Sequence, residues 1–297
     1  MSRGSRDDDR ADALDRVRER PQADPRSQER IDDLASRGLT LPRGDQRERV
    51  SCRGREYSLN GSETRMLATI GAFRVVSPTD IDVGHDRDAR NAASRHLAEQ
   101  GLVTRETMTD RHGSRQILAL TREGKDLLDA HSTSRRDGRQ QEYYAGVVKP
   151  RELRHDSQLY RLYKAEAALI ERDGGRVTRV VLDYELKRDY QRFLNRKDRD
   201  KDADGEADLA RDRVAFAQGN DLSVVHGHLE LPDIRIEYET EDGRLNYRDV
   251  ELVTEHYSRA QLAGKARAGF ARYHVGVRAG TSRRGGAPFD PHHLERL

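Results

Sequence analysis

Apolar residues in this chain gather in two islands, at 58–132 and 151–279, and the sequence around them is too polar to bury. Charged residues make up 36% of the 297 positions against 34% hydrophobic ones. Outside the islands there is therefore little surface whose burial offsets the entropy of ordering. The first fifty residues hold no Phe, Tyr or Trp, and 12 Arg face 12 Asp plus Glu. Residues 1–57 read as a disordered charged tail, with Ala11–Val17 and Ile31–Leu34 as short amphipathic stretches. Residues 133–150 read as a polar linker, 196–208 as a mobile charge-alternating insertion, and 280–297 as a loose tail rich in Gly, Pro, Arg and His.

Several function classes drop out on composition. No run of roughly 18 apolar residues exists, so no transmembrane helix is expected. Met1–Arg10 lacks the apolar stretch of a secretory signal. The single cysteine, Cys52, can form neither an internal disulfide nor a Cys-based zinc cluster. A cytoplasmic protein without a membrane partner is expected. The formal charge of +2, from 55 Lys plus Arg and 53 Asp plus Glu, argues against a polycation that holds nucleic acid by charge alone. It leaves room for a local binding surface. No P-loop, dinucleotide fingerprint or nucleophile elbow occurs, which disfavours nucleotide hydrolysis, hydride transfer and acyl transfer.

In the first island Met66, Leu67, Ile70 and Phe73 recur at helical spacing behind Asn60 and Ser62 as N-caps. Ser77-Pro78 opens a short helix through Ile81. Asp86 caps a helix over Arg87–Gln100 that Gly101 ends. Strands over Thr104–Thr109 and Ser114–Leu120 flank Asp110-Arg111-His112-Gly113, which has hairpin chemistry. Thr121 then caps a helix over Arg122–Ala130. Helix, short helix, helix, hairpin, helix is the order of a winged helix-turn-helix. Leu120-Thr121-Arg122-Glu123-Gly124-Lys125-Asp126-Leu127-Leu128 resembles the wing-to-helix junction of bacterial winged-helix regulators. The resemblance implies that the third helix enters the major groove of double-stranded DNA and the wing reaches its backbone. Arg87, Arg90, Asn91, Ser94 and Arg95 are then the groove-facing residues, with Ala89, Ala93 and Leu97 inward. Arg105, Arg111, His112 and Arg115 of the wing would meet phosphates. The competing reading is a winged helix used only for protein contacts.

The second island begins with a helix through Leu159, Tyr160, Leu162, Tyr163, Ala167, Leu169 and Ile170 that stops at Gly174-Gly175. Strands follow at Val177–Tyr184, Leu229–Glu239 and Leu245–Val253, with helical stretches at Glu185–Leu194 and Leu209–Ala217 between them. A helix over Ser258–Arg272 and a strand over His274–Arg278 close the island. The αβββαβ order resembles the PD-(D/E)XK nuclease-like fold, carried by Pro232-Asp233 in the second strand and Glu251 in the third. The fold class expected is thus α+β or α/β, a winged helix followed by a PD-(D/E)XK-like domain.

That resemblance implies that Asp233 and Glu251 hold Mg²⁺ or Mn²⁺, which would activate water for phosphodiester cleavage. A lysine two residues after the acid completes the family pattern, and Val253 stands there instead. Lys265 on the following helix is a candidate replacement, and Asp249-Val250-Glu251 could act as an acid-x-Glu variant. Glu185 or Glu166 would add a further carboxylate. His226 and His228 read as a solvated strand edge, and His292-His293 as part of the tail.

Loop length decides the acidic pair. A two-residue Asp242-Gly243 turn pairs 233 with 252 and separates the carboxylates, whereas a three-residue Glu241–Gly243 loop, or one bulge, pairs 233 with 251. The combination of both halves, with Lys265 and Tyr273 after the Glu251 strand, resembles the replication-relaxation family of plasmids and integrative elements. The resemblance implies a DNA-binding protein of mobile DNA, with or without metal-dependent endonuclease activity. Replication or conjugation proteins are its expected partners, and a homodimer is one expected state. The alternative is a transcription or plasmid-maintenance regulator whose C-terminal domain serves dimerisation or partner binding.

Overall fold

The computed structural model describes residues 33–81, 87–110, 113–133, 140–147, 152–197, 205–253, 257–275 and 294–296. Among them the chain is a mixed α+β structure, and no helix is long and apolar enough to cross a membrane.

The first island opens with helix α1, Gly61–Phe73. Asn60 and Glu63 form a reciprocal capping box, the Asn60 side chain accepting the Glu63 N–H at 2.9 Å and Glu63 Oε2 the Asn60 N–H at 3.1 Å. Buried Glu63 is also met by Arg47 at 2.6 Å and His96 at 2.8 Å. Arg74 leaves the helix at φ 64, in the left-handed region. Strand β3, Val75–Val76, and a 3-10 turn, Pro78–Asp80, lead towards α2, Arg87–Glu99. Gly101 ends α2 at φ 74, with Leu102 N–H on the Leu97 carbonyl at 3.0 Å. Strands β4, Val103–Asp110, and β5, Gly113–Leu120, pair in sequence register and join β3 in the order β3-β5-β4. Helix α3, Arg122–Ala130, starts where the Thr121 hydroxyl accepts the Gly124 N–H at 3.0 Å. Asp86, Arg111 and His112 lie outside the described residues.

Two expectations are corrected here. Residues 33–57 are not tail: β1, Glu48–Cys52, and β2, Arg55–Leu59, form a hairpin around Arg53 (φ 49) and Gly54 (φ 77). Leu34, Ala35, Leu39 and Leu41 are buried against the same core as α1. Their aliphatic side chains are scattered among charges, so only packing against a distant helix shows that they bury. Residues 1–32 lie outside the described residues. Nor is 140–147 a free linker. Tyr144 N–H bonds Gly71 O and Gly146 N–H bonds Leu120 O, both at 2.8 Å, and buried Tyr143 donates to Ala35 O at 2.6 Å. A Cβ on Gly71 would lie 2.9 Å from Tyr143, Leu120 and Leu128, so the glycine admits this segment.

The second island is built on a sheet ordered β12-β11-β10-β9-β6. Its strands are β6 Arg176–Leu182, β9 Ile234–Glu239, β10 Leu245–Val253, β11 Ala271–Val275 and β12 Leu294–Arg296. Only β10 and β11 run parallel; the other neighbours are antiparallel. Helix α4, Leu153–Arg172, covers one face. After β6 come α5, Asp183–Lys197, and α6, Gly205–Gly219, then the small hairpin β7, Ser223–Val225, with β8, His228–Glu230. Residues 198–204 of the expected insertion lie outside the described residues, and the helices on either side of them take the rest. Helix α7, Arg259–Arg267, ends five residues earlier than expected, at Gly269 (φ 81), because Ala271–His274 are drawn into parallel pairing with β10. The tail at 280–297 contributes β12, which pairs with β11, so it is not wholly loose.

No gap in packing separates the islands. One cluster of buried residues runs from Leu34 to Tyr273. Phe73 at the end of α1 meets Tyr160 and Tyr163 of α4 with ring centroids 5.0 Å away in both cases. Buried ion pairs cross the same seam, Arg161–Asp80 at 2.8 Å and Arg74–Asp156 at 3.4 Å. The outer edge of β6 is closed by Gln141, whose amide accepts the Val180 N–H at 3.0 Å and donates to Val180 O at 2.9 Å.

Candidate functional site: a carboxylate pair on adjacent strands

The β9–β10 connection is the three-residue loop Glu241–Gly243: Thr240 N–H bonds Arg244 O at 2.9 Å, and Gly243 takes φ 77. The ladder runs from Leu245 opposite Glu239 to Val250 opposite Ile234. One step further sets Asp233 opposite Glu251. A loop one residue shorter would turn the two carboxylates to opposite faces of the sheet.

Asp233 Oδ2 accepts the Leu252 N–H at 2.8 Å and lies 3.2 Å from His155 Nε2. Glu251 Oε2 accepts the Asp233 N–H at 3.2 Å. Its Oε1 faces Lys265 Nζ at 3.2 Å and accepts the Tyr257 hydroxyl. Lys265, from the last turn of α7, also donates to Leu231 O at 2.7 Å and lies 3.4 Å from Glu230. The structure thus brings Asp233, Glu251 and Lys265 together, with His155, Tyr257 and Glu230 beside them.

Burial, and then the charge of Asp233, push the Glu251 carboxyl above its ordinary range, while Lys265 and Tyr257 pull it back. Burial alone would lower His155, but its hydrogen bonds to Asp156 and Asp233 and their charges outweigh this and push it up to about 10. Two hard carboxylates suit Mg²⁺ or Mn²⁺, which can bind through one or two carboxylates and keep water as the remaining ligands. The mutual repulsion felt by Glu251 is what such a cation would relieve. Among the described residues no group of three or more His, Cys, Asp or Glu is gathered to hold a metal, so the fit rests on this pair alone.

The other acidic candidates stand elsewhere. Glu185 pairs with Arg179 and lies 3.5 Å from the Tyr144 hydroxyl, apart from Asp233 and Glu251. Burial outweighs Arg179 and pushes Glu185 up to about 7. Glu166 sits on the α4 side, bound by Arg248 at 3.0 Å and Tyr273 at 2.7 Å. Asp249 is clasped by Arg235 through two bonds, at 2.7 and 2.8 Å, which removes it as a free second acid. Val253 is buried. The nitrogen Nε2 of His226 touches Arg267. His155 and Tyr257 escaped sequence reasoning because neither has a spacing to the acids that marks it; the only local signal is His155 preceding Asp156.

On α2, Arg87 and Arg95 are exposed, and Asn91 is half-buried. Arg90 donates to Ile81 O at 3.2 Å. Ser94 is fully buried with its hydroxyl on Asn91 O at 3.1 Å, so it cannot face a ligand. Ala93 and Leu97 face the core, whereas Ala89, in the first turn of α2, is exposed and not turned inward as expected. On β5 Arg115 is half-buried, and on β4 Arg105 is turned along the sheet to Gln116 at 2.8 Å.

Comparison with protein-family models, with curated proteins and with solved structures gives no match.

Proposed function

We propose that the chain is a DNA-binding protein of mobile DNA, replication-relaxation-like, with a winged helix-turn-helix and a PD-(D/E)XK-like site for phosphodiester cleavage. The observation that carries this reading is the convergence of Asp233, Glu251 and Lys265 through a three-residue hairpin loop and a capped helix. Asp233 and Glu251 would hold Mg²⁺ or Mn²⁺, which when bound supplies an acidified water and a counter-charge for the phosphorus centre. Lys265 opposes the upward push of burial and Asp233 on Glu251 and would place a fixed cation beside the reacting phosphate. Double-stranded DNA would be held by Arg87, Arg95 and Asn91 of α2, with replication or conjugation proteins as further partners.

Supercoiled plasmid incubated with Mn²⁺ tests this reading. Nicking by the wild type and its loss in Asp233→Ala, Glu251→Ala and Lys265→Met is the expected result. No nicking with any divalent metal would overturn it. The second reading is then a non-enzymatic regulator, favoured by one observation: both Glu251 oxygens already have protein donors.

A further inference from the structure

Helix α5 starts at the carboxylate pair. Asp183 N–H donates to Asp233 O at 3.1 Å, and Lys187, one turn on, pairs with Asp183 within the field of Asp233. From there Arg188, Arg192 and Arg196 follow at four-residue spacing, one stripe of the helix. Arg192, Asn195 and Arg196 are exposed, while Tyr190 and Phe193 turn inward onto Phe216 of α6, with ring centroids 4.9 and 5.5 Å from it. Between the two helices lies a groove of about 680 Å³. Phe193 and Phe216 form its apolar part, and Arg192, Arg196 and Asn195 its polar rim. Asn220 and Asp189 complete the lining. Asp189 offsets part of the positive charge, 3.4 Å from Arg192 and 3.7 Å from Arg188. Glu142 clasps Arg188 at 2.6 and 2.7 Å, so Arg192 and Arg196 form the exposed end of the stripe.

Aromatic rings beside guanidinium and amide groups are the chemistry that takes up an unpaired base: the ring stacks, the polar rim meets the base edge, and arginine holds the phosphate. A duplex keeps its base faces stacked and has no use for an aromatic floor. We propose that the α5–α6 groove binds single-stranded DNA, with the strand's backbone running along the arginine stripe towards Asp233 and Glu251. Lys187 to Arg196 spans about 14 Å of helix. The proposal rests on the nuclease-like reading for the strand's direction only.

Fluorescence anisotropy of a labelled oligothymidylate in EDTA tests the full chain without cleavage. The double variant Arg192→Gln/Arg196→Gln should bind the single strand about tenfold more weakly, with a salt slope shallower by about 1.4. Phe193→Leu, checked for an unchanged fold by its melting curve, should lose about tenfold through lost stacking. A labelled duplex should keep its affinity within about twofold in both variants. Absence of oligothymidylate binding by the wild type, unchanged binding in the variants, or equal losses on single strand and duplex would overturn the proposal. Oligothymidylate binding without plasmid nicking would retain the groove and remove the nuclease reading; nicking without such binding would do the reverse.

Discussion

Asp233 and Glu251 hold one another through the main chain: Glu251 Oε2 takes the Asp233 N–H at 3.2 Å, and Asp233 Oδ2 takes the N–H of Leu252, the residue after Glu251, at 2.8 Å. Each carboxylate is thereby fixed by the strand that carries the other. Two like charges held this close destabilise each other unless a cation stands by, and Lys265 supplies it at 3.2 Å. This arrangement reaches the seam between the islands as well: His155, from the first turns of α4, meets Asp233 at 3.2 Å and Asp156 at 3.4 Å, and Asp156 pairs with Arg74 of the first island at 3.4 Å.

Asp80→Ala should destabilise the whole chain. Its carboxylate neutralises Arg161, both side chains being under a tenth exposed, and removal of one partner leaves a buried charge. A loss of about 3–5 kcal/mol is expected in urea denaturation. Asp80→Leu with Arg161→Met should recover most of it. A loss below about 1 kcal/mol for the single variant would show that the seam is not held by this pair.

Gly124→Ala should also destabilise, by about 2 kcal/mol or more. A Cβ there would lie 2.1 Å from the Leu102 carbonyl oxygen, which is backbone and cannot swing aside. The glycine four residues after Leu120 is thus explained by close approach of α3 to the start of β4. Thermal melting of the variant at the wild-type temperature would contradict this contact.

Glu185 should make stability fall as pH rises. Its folded value of about 7 lies above the ordinary 4.5, so between these limits the folded chain binds more protons than the unfolded one. Stability is fully present below about pH 4.5 and declines to a lower plateau above about pH 7, by up to about 3 kcal/mol. The difference in Tm between wild type and Glu185→Gln should therefore shift in favour of the variant across this window. A pH-independent difference would place Glu185 among ordinary paired carboxylates.

On duplex DNA, Arg87→Ala with Arg95→Ala should weaken binding by at least about tenfold, since a specific arginine contact is worth about 1–3 kcal/mol. Ser94→Ala should change it by less than about twofold because Ser94 is buried under its own helix. Gel retardation or anisotropy separates the two outcomes. A larger effect from Ser94 than from the arginines would reassign the binding face.

Elements with local causes were legible from sequence. Asn60 and Thr121 each cap a helix through a group three residues on, and Ser258 does the same with Gln261 where a helix beginning at Ser258 itself was expected. Gly101 ends α2 for the equally local reason that it takes φ 74. Pro232-Asp233 and Glu251 were visible as acids on two neighbouring strands, but the expected strand Leu229–Glu239 is broken at 231–233, so Asp233 stands just before Ile234. What was hidden depends on partners far along the chain. Leu39 and Leu41 are ordinary residues in a charged stretch until α1 covers them, and Tyr143 reaches Ala35 across 108 positions. His155 carries no mark of its 3.2 Å approach to Asp233.

By itself the sequence determined the two stretches that bury most of the apolar surface, where most helices start, and that two acids lie on neighbouring strands. Sequence narrowed the pairing to two registers, and tertiary structure chose between them. The ladder that sets Val250 against Ile234 buries the apolar face of both strands under α4, and a one-residue slip would reverse every side chain. Tertiary structure alone brought Lys265, Tyr257 and His155 to those acids, because helix packing and not sequence distance sets which charges meet. It also joined two islands that composition had divided, since Phe73, Tyr160 and Tyr163 leave no solvent between them.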